Sequence, residues 1–384
     1  MRSEAERAIQ AAKAAALEVL LHNVHGPYHG LPRTAGWGYP EPYTRDLLIS
    51  ALGILASGHP VLVGSLKRVM ALLAEHQSAH GNIPSLVHDR EDRGASDTTP
   101  LFLLVLGILR RLDGDPGYLA GAAEKALTWM DYQSTDDRVL VAQQPTSDWR
   151  DEHWVLGHGL YVNTLVYGYL RQLGLDDHAA ELQSAVNGPD DQTDARHPVQ
   201  GLAVRGRPTY AMWSYKVLRD ERCDLLGNSL AILTGLAPHT RAGKMVTWIE
   251  AECEAMRVRQ ELAGTLPPCF FPFVRPDEPD WHPRYADYNL PGDYHNGGVW
   301  PFICGFYIAA LVAAGRQRLA EDKLQALAAR LASAREPGLA FGFNEWYKAQ
   351  TGAPSGQDWQ TWSASMFLYA AACVEQESPL FFKV

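Results

Sequence analysis

Carboxylates stand among aromatic and polar residues at Asp46, Asp97, Asp148, Asp151, Glu152, Asp224, Asp293 and Glu345. Cleaving a glycosidic bond needs only two such groups, one protonated at the leaving oxygen and one ionised at a water or at the anomeric carbon. Glu345 lies in Phe343-Asn-Glu-Trp-Tyr347, ahead of the turn Thr351-Gly-Ala-Pro354, and an acid inside a run of aromatic residues is poorly explained as a solvated face. Asp97 precedes the apolar run Pro100-Leu-Phe-Leu-Leu-Val-Leu106. A carboxylate there can cap free N–H groups, and the helix dipole lowers its pKa, so acid catalysis from Asp97 requires burial or a second carboxylate to raise it. Trp37, Tyr39 and Tyr43 flank Arg45 and Asp46, Trp149 stands between Asp148 and Asp151, and Trp346 follows Glu345. Flat apolar rings beside hydrogen-bonding groups suit a sugar.

Other chemistries lack their residues. Gly297-Gly298 has neither the lysine nor the spacing of a phosphate loop, no GxSxG elbow occurs, and His158 and His295 have no HExxH-like spacing. Those histidines read as hydrogen-bonding groups rather than metal ligands. Cys223, Cys253, Cys269, Cys304 and Cys373 are widely spaced without a CxxC pair, which excludes a zinc site and points to buried, reduced thiols in a cytoplasmic protein. With 34 Lys and Arg against 44 Asp and Glu, the net charge of −10 excludes a nucleic-acid backbone as partner. The first 21 residues lack the pattern of a signal peptide, and no apolar run reaches the roughly 20 residues that a membrane helix needs.

Helical periodicity organises the chain. It predicts helices over Ser3–Leu21, Thr44–Ala56, Gly64–Gln77, Asp97–Leu112, Gly117–Tyr132, Gly157–Leu173, Asp176–Ala185, Arg222–Leu236, Arg241–Met256, His295–Ala314, Arg316–Ala334 and Asp358–Glu375. Strand signals are confined to Thr209–Val217 and Gln143–Trp149. The more apolar helices recur about every 50 to 75 residues, with an amphipathic helix between each pair. Six such hairpins give an all-α fold, an inner ring of helices wrapped by an outer ring, over residues 1–384 as one domain. The polar and aromatic clusters stand at or just before the inner helices, so a closed ring gathers them at one opening. Capping explains Asp97 or Asp358 at such ends, but not Trp, His, Arg and Glu at the same ends. The long irregular stretch Leu266–Asp293 is expected to be functional.

Tyr294-His-Asn-Gly-Gly-Val-Trp-Pro301 resembles the YHNGGxWP segment of the neutral/alkaline invertases, and Gln360-Thr-Trp362 resembles the QTW segment that follows their catalytic glutamate. Tyr43-Thr-Arg-Asp46 is similar to their aromatic-x-Arg-Asp motif, Leu226-Gly-Asn228 to their LxGN pattern, and Gly157-His158 to a glycine-histidine position. Glycogen-debranching amylo-α-1,6-glucosidases of the same superfamily also carry an early Arg-Asp, an Asp before an apolar helix and a late Glu. The resemblance implies an (α/α)6 barrel with long loops at the active-site end, an inverting mechanism and no cofactor. It places the general acid on Asp97 and the general base on Glu345. Ser96-Asp-Thr-Thr-Pro-Leu-Phe102 stands where the invertases have Val-Asp-Ser-Gly-Leu-Trp-Trp, and Asn344-Glu-Trp-Tyr347 where they have Pro-Glu-Tyr-Tyr.

The resulting expectation is a glycoside hydrolase that releases a terminal sugar from a small saccharide or glucoside. Arg45, Asp46, His295 and Gln360 would hold the sugar in the innermost subsite. Trp37, Tyr39, Tyr43, Asp148, Trp149, Asp151, His158, Asn228, Asn296, Trp300, Trp346 and Trp362 complete the expected lining. Asp148 and Asp151 stay open as alternative acids. Sucrose cleavage, α-1,6-glucosidase activity of the debranching type, a sugar epimerase or isomerase using histidines, and a non-catalytic sugar-binding barrel are the competing readings. Related invertases form oligomers, which leaves a homo-oligomer open here.

Overall fold

In the computed structural model, residues 4–134, 139–188 and 201–382 are described. The chain runs as helix pairs. The first three are α1 (Glu4–Asn23) with α2 (Thr44–Ser57), α3 (Pro60–His76) with α4 (Thr98–Asp113), and α5 (Ala120–Asp131) with α6 (Leu160–Gln172). Next come α7 (Asp176–Asn187) with α8 (Leu225–Leu233) and α9 (His239–Val258), the short α10 (Tyr285–Tyr288) and α11 (Pro301–Ala313). The last pair is α12 (Gln317–Leu331) with α13 (Thr361–Glu375). Every predicted helix is present, with its ends moved by a few residues.

The even-numbered α2, α4, α6 and α8, then α11 and α13, pack each against the next, and α13 packs back on α2 to close the ring. This is the (α/α)6 barrel. Ring helices have to be apolar on all sides, because neighbours, the barrel interior and the outer helices cover every face. Accordingly α4 is buried from Thr98 through Leu109 and α11 from Pro301 through Val312. Outer helices bury one stripe only, as Leu62, Leu66, Val69, Met70 and Leu73 do on α3. Each such aliphatic side chain contributes about 1.5–3 kcal/mol on burial.

Loop length differs between the two ends of the ring. Segments leaving an inner helix are short, such as 58–59, 173–175 and 314–316, whereas those entering one span 24–43, 77–97, 132–159, 188–224, 259–300 and 332–360. The entry loops supply all the described strands: His158–Gly159 pairs with Trp213–Tyr215, which pairs with Leu218–Asp220, while Cys223–Asp224 pairs with Phe270–Phe271 and Trp346–Tyr347 with Pro354–Ser355. Thr209–Val217 is thus one arm of a hairpin. Gln143–Trp149 forms no strand among the described residues beyond a single bridge from Gln143 to Gly157. The helix expected from His295 begins at Pro301, because Tyr294 and Gly297 take φ of 43° and 100° and cannot join a right-handed helix, while proline suits its first turn.

The entry loops are pinned by asparagines. Asn163 accepts the N–H of Val141 and donates to its carbonyl, Asn228 does the same for Tyr210, and Asn296 for Val274. Each amide thereby imitates a strand partner for one loop residue. The ring itself depends on close helix approach at Gly53, where a Cβ would lie 1.8 Å from the Ser365 carbonyl oxygen of α13. A Gly53→Ala variant should therefore lose about 3 kcal/mol or more despite alanine's better helix propensity; a denaturation midpoint equal to wild type contradicts this packing.

Candidate active site

The carboxylates at the open end fall into two groups, distinguished by whether a guanidinium neutralises them. Asp97 is fully buried and does not cap α4; it turns to Arg45, whose Nε and Nη2 donate to its two oxygens at 2.5 and 3.0 Å. The Tyr161 hydroxyl donates to it at 3.3 Å. Burial raises the Asp97 carboxyl above its ordinary range, with Arg45 opposing the rise and the charge of Asp148 adding to it, as acid catalysis from this position requires. Asp148 accepts from the backbone N–H of Arg150 at 2.8 Å and from its Nη2 at 3.0 Å, and the same guanidinium reaches Asp224 at 3.1 Å. All three side chains are completely buried. Against burial, Arg150 holds the Asp148 carboxyl down at about 2.

Asp46, Asp151 and Glu345 form no ion pair among the described residues. Glu345 sits where the chain folds back on itself. Phe343 takes φ 43°, the Trp346–Tyr347 and Pro354–Ser355 strands form a small hairpin, and the Glu345 N–H donates to the Gln357 carbonyl at 2.9 Å. The Gln357 N–H in turn donates to Glu345 Oε2 at 3.1 Å. Gly356, at φ 70°, makes room: a Cβ there would come within 2.3 Å of that oxygen. Burial pushes the Glu345 carboxyl up to about 7, the Gln357 N–H opposes it, and the negative charge of Asp151 adds to the rise. Asp46 also rises to about 7, through burial opposed by Arg45 and reinforced by Glu345.

Asp151 is solvent-exposed on the loop entering α6. Loss of hydration raises its carboxyl, Arg45 opposes this, and Glu152 and Asp148 add to it. Two tyrosines feel both Asp151 and Glu345. Tyr39 is pushed up to about 12, first by Glu345 and then by burial, Tyr43, Asp151 and Asp46, and Tyr294 is raised by burial, then Glu345, then Asp151. These groups therefore share one electrostatic neighbourhood at the barrel mouth. Exposure separates the candidates within it: Asp151 is exposed, Glu345 keeps 7% of its surface and Asp97 none.

The aromatic candidates divide in the same way. Tyr39 and Trp346 are half-buried and Tyr43 exposed beside the carboxylates, while Trp37 is exposed at the rim and packs on Trp359 with ring centroids 5.1 Å apart. Trp149, His295, Trp300 and Trp362 are buried beneath them, Trp149 edge-on to both His295 and Trp300, and Trp362 stacked on Phe302 at 4.2 Å. Burial drives the His295 pKa well below the usual range, which keeps the imidazole neutral. His158 is buried within its strand and Gln360 at the start of α13. Asn228 and Asn296 spend their amides on the loops described above. Arg150, Tyr161 and Gln357 belong to the site's framework without a sequence expectation, and Tyr294 joins them from the head of its motif; Arg150 stands between Trp149 and Asp151, whereas Tyr161 lies in an apolar helix and gives no local signal.

Two consequences can be measured. Arg45→Met leaves Asp97 buried without its partner and should cost about 3–5 kcal/mol in chemical denaturation at pH 7; a loss under about 1 kcal/mol contradicts the buried pair. Glu345 has a folded pKa near 7 against an unfolded value of 4.5, so the fold favours its neutral form, and the penalty of ionising it is absent below about pH 4.5 and complete above pH 7. The shift corresponds to about 3 kcal/mol. Glu345→Gln should therefore melt a few degrees higher than wild type at pH 8 and show a smaller gain at pH 5, whereas a pH-independent difference contradicts the assignment.

Residues 217–377 match the profile of a family described as alkaline and neutral invertase. The probable alkaline/neutral invertase D of Arabidopsis thaliana is 30% identical over 165 residues, 42% of this chain and 28% of that protein. The cytosolic invertase 1 of Oryza sativa subsp. japonica is 30% identical over 165 residues, 42% of this chain and 27% of that protein. The matched region thus spans less than a third of these relatives' length. Among solved structures, the GH63 mannosylglycerate hydrolase of Thermus thermophilus superposes with a TM-score of 0.64 at 16% identity, covering 93% of this chain and 99% of the other. A structure described as a wild-type glycosidase gives 0.64 at 16%, covering 97% and 98%. The chain is similar to the alkaline and neutral invertases in its C-terminal part, and nearly its whole length has the fold of these glycosidases.

Proposed function

We propose that the protein is a glycoside hydrolase, the whole chain forming one catalytic domain, that releases a terminal sugar from a small saccharide or α-glucoside with inversion of configuration. Glu345 is the base. It has to be ionised to activate water, and its raised pKa makes it a stronger base than an ordinary carboxylate. Asp151 is the acid. The observation that carries this reading is that Asp151, on the loop entering α6, is an exposed carboxyl outside any ion pair among the described residues, at the same end of the barrel as Glu345, whose rise its charge reinforces. Asp97, to which the resemblance assigns the acid, is closed off by Arg45, and Asp148 is held ionised by Arg150. On this reading Asp97 aims Arg45, Asp148 fixes the loop that carries Asp151, and the buried guanidiniums keep both frameworks rigid.

Asp46, Tyr39, Tyr43 and Trp346 supply hydrogen bonds and a ring face to the sugar, with Tyr294 beside them. A neutral Asp46 can donate a hydrogen bond as well as accept one. An epimerase using histidines fits less well, since His153 and His295 are buried and their pKa values are lowered, His153 to about 3. The similarity to invertases supports a sucrose-type substrate, and maltose and isomaltose test the α-glucosidase alternatives. The free, buried cysteines fit a reducing compartment such as the cytoplasm.

Asp151→Asn should lower kcat at least 100-fold on a natural disaccharide but much less on a glucosyl fluoride, whose leaving group needs no proton. Glu345→Gln should fail on both, because water activation is lost in either case. NMR of the first-formed product should show the inverted anomer. Equal losses on both substrates in Asp151→Asn, or a retained anomer, overturn these roles.

A further inference from the structure

The long loop singled out in the sequence is not consumed by the acid and base. It builds one wall of a separate cavity of about 380 Å³, between the Trp213–Asp220 hairpin and the loop that carries Asp151. All three walls are entry loops, so the cavity opens at the same end of the barrel as the proposed catalytic groups. Aromatic rings dominate its lining, with Trp154, Trp213, Trp281, His282 and Tyr285 facing it beside Asp280. Trp154 is half-exposed, its ring parallel to that of His282 within 5°, and its backbone N–H donates to the Tyr285 hydroxyl at 2.9 Å. Trp154 follows Asp151 by three residues, so their Cα atoms lie within about 11 Å of each other.

Charge narrows the class of ligand. Arg222 ties the walls together through Asp220, Asp280 and Glu278, one guanidinium against three carboxylates. Arg219, the guanidinium in the lining, is engaged by Glu221 and by the Ala203 carbonyl. Among the described residues an anionic group therefore meets an excess of carboxylate and no uncommitted arginine, whereas a neutral ring finds stacking faces and acceptors for its hydroxyls.

We propose that this cavity is a leaving-group subsite for a neutral, polyhydroxylated ring, the far end of an oligosaccharide longer than a disaccharide. The proposal rests on Asp151 as proton donor, because the loop that protonates the leaving oxygen faces the leaving-group side. Such a subsite favours extended neutral substrates and disfavours glycosides whose leaving group bears a carboxylate.

The test separates binding from turnover. Glucose, maltotriose and raffinose are titrated calorimetrically into Glu345→Gln, into Glu345→Gln with Trp154→Ala, and into Glu345→Gln with His282→Ala, with melting curves confirming that each variant is folded. At least one trisaccharide should bind about tenfold tighter than glucose, and removing either exposed ring should lower that affinity about tenfold while leaving glucose unchanged. Equal affinity for all three sugars, or trisaccharide binding indifferent to both ring deletions, overturns the proposal. Two glucose molecules per chain, one lost with Trp154, would mark the cavity as an independent sugar site and also overturn it. Because no step requires hydrolysis, failure of the acid and base assignment shows in the Asp151 and Glu345 kinetics instead.

Discussion

Charge neutralisation at the barrel mouth decides which carboxylates can react. Asp46, Asp97, Asp148, Asp151, Asp224 and Glu345 converge there, and the two guanidiniums that make ion pairs with them among the described residues are committed, Arg45 to Asp97 and Arg150 to Asp148 and Asp224, while Arg335 opposes the charge of Glu345 without pairing to it. Removing charges from water is costly unless they are paired and hydrogen-bonded, so burial raises Asp97, Asp224, Asp46 and Glu345 alike, and among the carboxylates at the mouth only Asp148, with Arg150 on both its oxygens, is pulled below the ordinary range. Glu345 and Asp46 reach about 7 for this reason. Proton transfer near neutral pH needs groups poised in that range.

The fold creates that imbalance. A closed ring of buried helices holds small polar side chains such as Ser50, Asn163 and Asn228 but no buried carboxylate beyond its first turns, and its short exit turns leave little room at the other end. Carboxylates therefore collect on the long entry loops. Those loops would be loose if they were held only by their ends. The amides of Asn163, Asn228 and Asn296 each hold one loop residue at both its N–H and its carbonyl, and Arg150 braces the segment that presents Asp151. The rings of Trp149, His295, Trp300 and Trp362 pack together as a buried aromatic cluster in which Trp149 Nε1, His295 Nδ1 and Trp362 Nε1 have no hydrogen-bond partner among the described residues.

Much of this could be read from the residues alone. The helices are legible because burial on one stripe or on all faces leaves a periodicity that survives any detail of packing, and the carboxylate clusters are legible because capping could not account for their aromatic company. What stayed hidden depends on direction. Asp97 at the head of an apolar helix has the same sequence signature whether it caps, donates a proton or grips Arg45, and only three-dimensional placement distinguishes these. Asn228 and Asn296 were expected in the sugar lining, and their bonds to the Tyr210 and Val274 backbone could not be read from the sequence, because motif residues and loop clamps share a residue type. The strand expected at Gln143–Trp149 failed for a related reason: that segment is held by side chains and a single bridge rather than by a ladder. His295 fell outside its expected helix because left-handed backbone at Tyr294 and Gly297 carries no hydrophobic signature.

The proposed chemistry stands on the Asp151 and Glu345 carboxyls interacting across one shared site. Carbon-13 NMR of side-chain-labelled glutamate, titrated in wild type and in Asp151→Asn, reads that interaction directly. The expected result is a Glu345 carboxyl titrating near pH 7 in wild type and distinctly lower once the neighbouring charge is removed. A Glu345 carboxyl that titrates in the ordinary range near 4.5, or one that ignores the Asp151 substitution, would contradict it.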